Sequence, residues 1–221
     1  LAIVESFLQE DAKTCLVSRG SNALFESEKK LQDAYGLESV FACKCDCTNI
    51  ESLNDLKSEV EDRWSSLDIV VVNVGDGQSV SDALPDDEQW RRTWSNNFES
   101  ALQTARVFLP MLEKSKGSLL FISSIAGVEA FGAPTDYSTA KTAVIALAKN
   151  MARKLAFDDV RVNVIAPGNV LFDGSSWDEK IKQDKKRVDK IIKSTVPMNR
   201  FATPQEIADS AVFLCSDRAS F

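Results

Sequence analysis

The sequence contains no histidine. The chain therefore cannot use an imidazole as a general base, and Ser-His triads of the hydrolase type are excluded. A long apolar run is also lacking: no run approaches the ~20 residues that a membrane-spanning helix requires. We see no signal peptide at the start of the chain. These absences predict a protein of the cytoplasm that does not enter a membrane.

Positive charge is scarce as well. Lysine and arginine number 26 against 33 acidic residues, which gives a formal net charge of −7. Without an excess or a long run of basic residues, nucleic acid is not expected as a partner. A small-molecule substrate is the better expectation.

The five cysteines are an odd number, and three of them alternate as Cys43, Cys45 and Cys47. Strand periodicity would place these three on the same face. Zinc motifs more often have a two-residue gap and a fourth ligand, and no histidine is present to provide one. We therefore predict no metal site, with the cysteines acting as small buried hydrophobic residues in a reducing compartment.

Apolar strand-like runs alternate with amphipathic helical patterns along the whole chain. This alternation predicts parallel βαβ units in an α/β fold with a doubly wound parallel sheet. With 221 residues and 44% hydrophobic content, one domain spanning residues 1–221 is expected. Strands are predicted at 14–18, 40–45, 67–72, 119–124 and 160–166, and helices at 1–10, 27–35, 50–64, 86–112, 137–157 and 178–194, with another starting at Thr203.

One short motif combines a phenol with an amine. Tyr137 and Lys141 are four residues apart, so they fall on one face of a helix. A fixed ammonium close to a phenol favours the phenolate, which predicts a lowered pKa for Tyr137. Ser124 follows an apolar run, and carboxyl ends of strands are where open α/β sheets bind ligands. The three groups together could move a proton to or from a substrate oxygen.

Each part has a structural alternative, since Tyr-x-x-x-Lys pairs are common on helices and Ser-Ser pairs often form turns. The rest of the chain adds three features. Asn73-Val-Gly75 follows one predicted strand, Asn97 comes seven residues after Trp90, and Asn163-Val-Ile-Ala-Pro-Gly168 ends a later predicted strand. In this order the sequence resembles the classical short-chain dehydrogenase/reductases, from Leu1 to Phe221. The resemblance implies a Rossmann-type sheet.

The resemblance also implies a reaction, the interconversion of a carbonyl and a secondary alcohol by hydride transfer with a nicotinamide dinucleotide. Tyr137 would be the acid–base residue, Lys141 would lower its pKa and bind the nicotinamide ribose, and Ser124 would polarise the carbonyl. Asn97 would distort its helix and hold a relay water. A 3-oxoacyl carrier-protein reductase is the commonest activity in the family. Two alternatives are a non-catalytic dinucleotide-binding module and an inactive, truncated member.

Cofactor choice depends on the end of the first predicted strand. Dinucleotide folds place there either an acidic residue for the ribose hydroxyls or a nearby arginine for a 2′-phosphate. Ser18 and Arg19 occupy these positions, which favours NADP(H) over NAD(H), although a surface arginine in a turn remains the alternative. By resemblance the other cofactor-binding residues are Asp46, Cys47, Asn73, Val74, Gly75, Tyr137, Lys141, Pro167, Gly168 and Val170.

The resemblance also describes parts that this sequence lacks. A first strand with its glycine-rich turn would lie between the strands that end near Ser18 and Asn73, and one more strand would follow Phe221. A substrate lid is expected at about 171–200, where Phe172 and Trp177 are candidates for lining the substrate pocket. The long helices at 86–112 and 137–157 would pack against a second copy in a homodimer or homotetramer.

Overall fold

The computed structural model describes all 221 residues. Its strands and helices alternate as the sequence predicts. The strands are β1 Thr14–Ser18, β2 Val40–Lys44, β3 Ile69–Val72, β4 Ser118–Ile122 and β5 Arg161–Ile165. The helices are α1 Ala2–Gln9, α2 Asn22–Tyr35, α3 Ile50–Trp64, α4 Asp87–Trp94, α5 Ser100–Ser115, α6 Thr135–Leu155, α7 Ser176–Thr195 and α8 Pro204–Cys215.

All strand pairs are parallel, as the alternation with helices predicts. β1 pairs with β2, and β3, β4 and β5 form a second sheet in that order. β1 and β3 are not hydrogen-bonded to each other. The five strands therefore form two separate parallel sheets.

Helices cover both faces of the strands, which confirms the doubly wound arrangement. Leu119 and Phe121 of β4 belong to the main core, together with residues of α3, α5 and α6. Leu120, between them, packs with Phe7 of α1 and Ala211 of α8 on the other face. Such alternation follows from the two-residue repeat of a strand, and burial on both faces explains the continuous apolar runs.

The predicted helix at 86–112 is interrupted in the structure. Its middle, Ser95–Glu99, is a π-helical segment between α4 and α5, and Asn97 is buried within it. π-helical turns inside α-helices occur often at functional sites. The distortion that the resemblance implies at Asn97 is therefore present.

Other boundaries differ by a few residues. The strand predicted at 119–124 ends at Ile122, and Ser124 instead caps a short 3₁₀ turn at Ile125–Gly127. α8 begins as predicted at Thr203, which forms a capping box with Glu206. None of the helices is both long and apolar enough to cross a membrane.

Candidate active site

The predicted acid–base residues meet where the carboxyl ends of β3 and β4 face the first turns of α6. A cavity of about 170 Å³ lies there. Tyr137 and Lys141 enter it from α6, and the loop after β3 forms the opposite wall. Its complete lining is Asn73, Val74, Gly75, Asp76, Gly77, Ile122, Ser123, Tyr137 and Lys141. The structure thus brings together residues from three separate segments of the chain.

Lys141 is the buried cation of this site, with only 5% of its surface exposed. Its Nζ donates to the carbonyl oxygen of Ile122 at 3.3 Å and lies 5.8 Å from the centre of the Tyr137 ring. Burial lowers the pKa of Lys141 to about 8, while the Asp76 carboxylate acts to raise it. The amine therefore loses its proton at a lower pH than an exposed lysine does.

Tyr137 differs from the sequence prediction in the direction of its pKa shift. Burial raises the pKa of its phenol, and the Asp76 carboxylate raises it further, whereas a hydrogen-bonding interaction with Ser124 lowers it. The net shift is therefore opposite to the lowering that the spacing of Tyr137 and Lys141 predicts. Lys141 directs its ammonium to the Ile122 carbonyl, and burial of the phenol dominates.

Ser124 and its neighbour Ser123 join the 3₁₀ turn to α6. The Ser123 hydroxyl donates to the carbonyl oxygen of Lys141 at 2.8 Å. Ser124 accepts from the amide of Ala126 at 3.2 Å, which orients its side chain. Ser124 is close enough to the Tyr137 phenol to lower the pKa of the phenol through hydrogen bonding, and two neighbouring hydroxyl groups are suited to bind a carbonyl oxygen.

Asn97 has no exposed surface, and one of its polar atoms is unpaired. Its Nδ2 donates to the carbonyl oxygens of Asp76 and Thr93, both at 3.0 Å. Its Oδ1 has no hydrogen-bond partner within the protein. Since buried acceptors nearly always have a partner, this atom marks a position suited to a donor from a water or a ligand.

Gly75 allows the loop after β3 to approach both Asn97 and Lys141. Its φ of +149° is rarely adopted by other residues. An added Cβ would clash with Asn97 Oδ1 and lie 3.0 Å from Lys141 Nζ. The close contact explains why a glycine is needed at this position.

We expect Gly75→Ala to lower the free energy of unfolding by about 1–2 kcal/mol, because the backbone is strained and the Cβ displaces Asn97. Urea denaturation measures this change. Gly77→Ala is the matched control, since Gly77 has no atom within 4 Å of an added Cβ. Equal losses in the two variants would contradict the proposed close approach.

A second cavity of about 200 Å³ lies at the carboxyl ends of β1, β2 and β3. It contains all the residues predicted for the adenosine side of a dinucleotide and shares the segment 73–76 with the first cavity. Its lining is Val17, Ser18, Arg19, Cys45, Asp46, Cys47, Thr48, Asn73, Val74, Gly75, Asp76 and Asn96. The two cavities are therefore adjacent.

Asp46 carries a negative charge in this second cavity. The Thr48 amide and hydroxyl donate to its Oδ1 at 3.0 and 2.7 Å, and these bonds lower the pKa of Asp46. Arg19 lowers the same pKa through its positive charge. An exposed guanidinium and a fixed carboxylate thus stand at the end of the first sheet.

Three predicted cofactor residues line neither cavity. Pro167, Gly168 and Val170 follow β5, where the Pro167 carbonyl accepts from the amide of Ile125 at 2.8 Å. Val170 forms an isolated bridge with Ala202. The bond to Ile125 places Pro167 next to the turn that Ser124 caps.

Neither aromatic candidate for the substrate pocket lines either of the two cavities described above. Trp177 packs edge-on against Phe201, with ring centres 5.4 Å apart, and the Lys180 Nζ lies over the Trp177 ring, 4.6 Å from its centre. Phe172 is 54% exposed. α7, which follows, is kinked at Asp184.

Two functional candidates were missed at the sequence level. Asp76 lines both cavities, and Asp136 is buried directly before Tyr137. A carboxylate next to a glycine turn and another next to the tyrosine were the available signals. Neither belongs to the motif of tyrosine, lysine, serine and asparagine, so the motif gave no reason to select them.

The alternating cysteines do not all lie on a strand, because β2 ends at Lys44. Cys43 is half-buried, and Cys45 and Cys47 are buried beyond the strand end. Burial raises the pKa of Cys47 to about 12, so its thiol keeps its proton. All five cysteines are unpaired, and no group of three potential ligands in the structure could hold a metal ion.

Comparisons with known proteins agree with this geometry. A family model described as enoyl-(acyl carrier protein) reductase matches residues 1–221. An uncharacterized oxidoreductase of Bacillus subtilis, YvrD, is 32% identical over 229 residues, covering 99% of this chain and 86% of the relative.

Two solved structures are similar over nearly the whole chain. The L-sorbose reductase of Gluconobacter frateurii, complexed with NADPH and L-sorbose, has a TM-score of 0.91 at 29% identity and covers 100% of this chain and 86% of that chain. A 7α-hydroxysteroid dehydrogenase complexed with NADH and 7-oxo glycochenodeoxycholic acid has a TM-score of 0.88 at 29% identity, covering 99% and 83%. This chain belongs to the short-chain dehydrogenase/reductase family of oxidoreductase enzymes.

Proposed function

We propose that the protein is an NADP(H)-dependent oxidoreductase that interconverts a carbonyl and a secondary alcohol. The observation that carries the proposal is the meeting of Tyr137 and Lys141 in one cavity, with Ser124 near enough to the phenol to lower its pKa. A phenol, an amine and a second hydroxyl suffice to bind a carbonyl oxygen and transfer a proton to it without histidine.

Each residue has a distinct role in this proposal. During carbonyl reduction, the Tyr137 hydroxyl gives its proton to the substrate oxygen while Ser124 donates a hydrogen bond to the same oxygen. Lys141 stabilises the phenolate that remains, since a neighbouring ammonium group offsets the cost of burying the negative charge. Asn97 would hold a relay water on its unpaired Oδ1.

The two cavities contain suitable residues for a dinucleotide. Ser18, Arg19, Asp46 and Cys47 would hold the adenosine end, and Lys141 would bind the nicotinamide ribose. When bound, the nicotinamide supplies the hydride for reduction or accepts it in oxidation. Pro167, Gly168 and Val170 remain proposals for the carboxamide side.

The preference for NADP(H) is supported by charge. Of the two similar solved structures, one contains NADPH and the other NADH, so the relatives do not decide the choice. Arg19 supplies an exposed guanidinium at the end of β1, and Ser18 replaces the carboxylate that would repel a 2′-phosphate. Arginine matches phosphate geometry well.

Calorimetric titration with NADPH and NADH tests the cofactor assignment. We expect tighter binding of NADPH, and Arg19→Ala should weaken it about tenfold to a hundredfold through the loss of a charge-assisted hydrogen bond. Binding of NADH should change little. Arg218→Ala, which removes an exposed arginine away from both cavities, is the control. Equal affinity of the wild type for both nucleotides would contradict the preference.

Turnover of a carbonyl panel then separates the enzyme from its alternatives. The panel contains a 3-oxoacyl thioester, a ketose, a steroid ketone and a simple aromatic ketone, with NADPH oxidation followed by absorbance. Nucleotide binding without turnover of any ketone would favour the dinucleotide-binding module. No binding of either nucleotide would favour an inactive member. The 3-oxoacyl carrier-protein reductase remains one candidate within this panel.

The remaining proposals concern organisation. We propose one domain with a substrate lid at about 171–200, of which α7 is the main part. A homodimer or homotetramer would form through α4–α5 and α6. The unpaired state of all five cysteines supports a reducing, cytoplasmic setting.

A further inference from the structure

Asp76 is the only carboxylate among the residues that line the cavity of Tyr137 and Lys141. It follows Gly75, whose added Cβ would lie 3.0 Å from Lys141 Nζ. The loop that comes so close to α6 therefore brings a negative charge to the two ionisable groups of the site. The assigned roles of tyrosine, lysine, serine and asparagine do not account for it.

The π-helical segment holds Asp76 from two sides. The Nδ2 of Asn96 donates to its Oδ2 at 2.8 Å, and the Nδ2 of Asn97 donates to its backbone carbonyl at 3.0 Å. The amide of Gln78 donates to its Oδ1 at 3.1 Å. Two adjacent asparagines thus fix the backbone and the carboxylate of one residue, and two donors, from Asn96 and Gln78, hold the partly buried carboxylate in place.

The other charged groups nearby are engaged elsewhere. Asp136 precedes Tyr137, but its oxygens accept from the Ser79 hydroxyl, the Gln89 amide and the Tyr137 amide. In the second cavity, the charge of Arg19 acts on Asp46. Lys141 is the only cation among the residues lining the first cavity.

Asp76 shifts the pKa values of Tyr137 and Lys141 in the same direction. A carboxylate favours the protonated form of any neighbouring acid or base. Asp76 accordingly raises the pKa of Lys141, against the effect of burial, and raises the pKa of Tyr137 in the same direction as burial.

We propose that Asp76 is a positioning residue whose charge keeps Tyr137 and Lys141 protonated, so that the phenol is ready to donate a proton in carbonyl reduction. The inference rests on the proposed function, because it assigns the protonation state of that reaction's acid–base residue. Reduction consumes the phenolic proton, whereas alcohol oxidation requires the phenolate as base. A fixed negative charge beside the phenol therefore extends to higher pH the range over which the phenol can donate its proton.

Direct titration of Tyr137 tests the inference without any substrate. The chain has two tyrosines, so Tyr35→Phe leaves Tyr137 as the only one, and its ionisation is followed by tyrosinate absorbance near 295 nm. In this background we expect Asp76→Asn to move the midpoint to lower pH, with roughly a threefold rise in the tyrosinate fraction at a fixed pH below it. An unchanged or higher midpoint would overturn the inference.

Matched variants separate charge from structure. Asp82→Asn removes the same charge from an exposed position of the same loop and should leave the midpoint unchanged. Asp76→Glu keeps the charge and should restore the wild-type midpoint. If Asp76 served only to hold the loop, Asp76→Asn would alter urea stability without moving the midpoint.

The pH dependence of activity gives a second, separate readout. For ketone reduction, the loss of rate at high pH should begin at lower pH in Asp76→Asn than in the wild type. A wild type that reduces no ketone would overturn the proposed function, while the tyrosinate titration still decides the role of Asp76. An active Asp76→Asn variant with a wild-type pH profile would overturn the inference alone.

Discussion

Tyr137→Phe should reduce turnover about 10³-fold, within the 10²- to 10⁴-fold range typical of a lost general acid–base residue. The substitution removes the phenolic oxygen that contacts Ser124 and keeps the ring. The shape of the cavity is retained, so NADPH affinity should stay within about twofold of the wild type. Steady-state ketone reduction and calorimetric titration of the same preparation measure the two quantities.

Tyr35→Phe is the control for this experiment. Tyr35 ends α2, and its hydroxyl accepts a 3.5 Å hydrogen bond from Gln9, away from both cavities. It should retain the wild-type rate. A Tyr137→Phe variant with a near wild-type rate would remove the acid–base assignment. If the variant lost both NADPH binding and turnover, the result would instead indicate that the phenolic oxygen helps to bind the cofactor.

The sequence was sufficient for the order of the elements and for the grouping of the main candidate residues. Buried parallel strands are continuous apolar runs, such as the one that forms β4, and these are easily distinguished from amphipathic helices. Because the carboxyl ends of parallel strands lie at one edge of a sheet, the sequence alone predicts that Asn73 and Ser124 lie near one another.

The helix around Asn97 shows where periodicity is insufficient. An apolar repeat continues through Ser95–Glu99, so the sequence pattern alone predicts a single helix from 86 to 112. The structure widens one turn there, and Asn97 turns its amide towards the Asp76 carbonyl. A π-helical segment changes the pattern by only one residue, and its cause is a tertiary contact that no local pattern contains.

The pKa of Tyr137 could not be predicted from spacing for a related reason. A spacing of four residues on a helix brings Lys141 to the same face as Tyr137, but the Lys141 side chain reaches the Ile122 carbonyl. Burial then has the largest effect on the pKa of the phenol. Desolvation depends on every neighbouring segment. Asp76, which adds to the shift, is 61 positions before the tyrosine in the sequence, as their residue numbers show.

Asp136→Asn should lower the free energy of unfolding by about 2–3 kcal/mol, because hydrogen bonds to a buried charge are among the strongest in proteins. Asp136 is 1% exposed. The Ser79 hydroxyl donates to both of its oxygens at 2.6 Å, and the Gln89 and Tyr137 amides donate at 3.2 and 2.9 Å. An asparagine would turn its own donor towards one of these groups, and the loop carrying Ser79 would lose its attachment to α6.

The pH dependence of this loss identifies its origin. Burial acts to raise the pKa of Asp136, but the bonds from Ser79, Thr93, Gln89 and the Tyr137 amide outweigh it, so the folded pKa is lowered. The carboxylate therefore stabilises the fold fully above its unfolded pKa of ~3.9, and this stabilisation is lost as the pH falls through the folded value. Urea denaturation should show a constant difference in the free energy of unfolding between wild type and Asp136→Asn from about pH 8 to about pH 5, and a smaller difference below about pH 4.

Asp82→Asn, in the same loop but exposed, should show no such difference at any pH. A loss for Asp136→Asn that persists unchanged into acid would mean that packing, rather than the charged hydrogen-bond network, holds the loop against the catalytic helix.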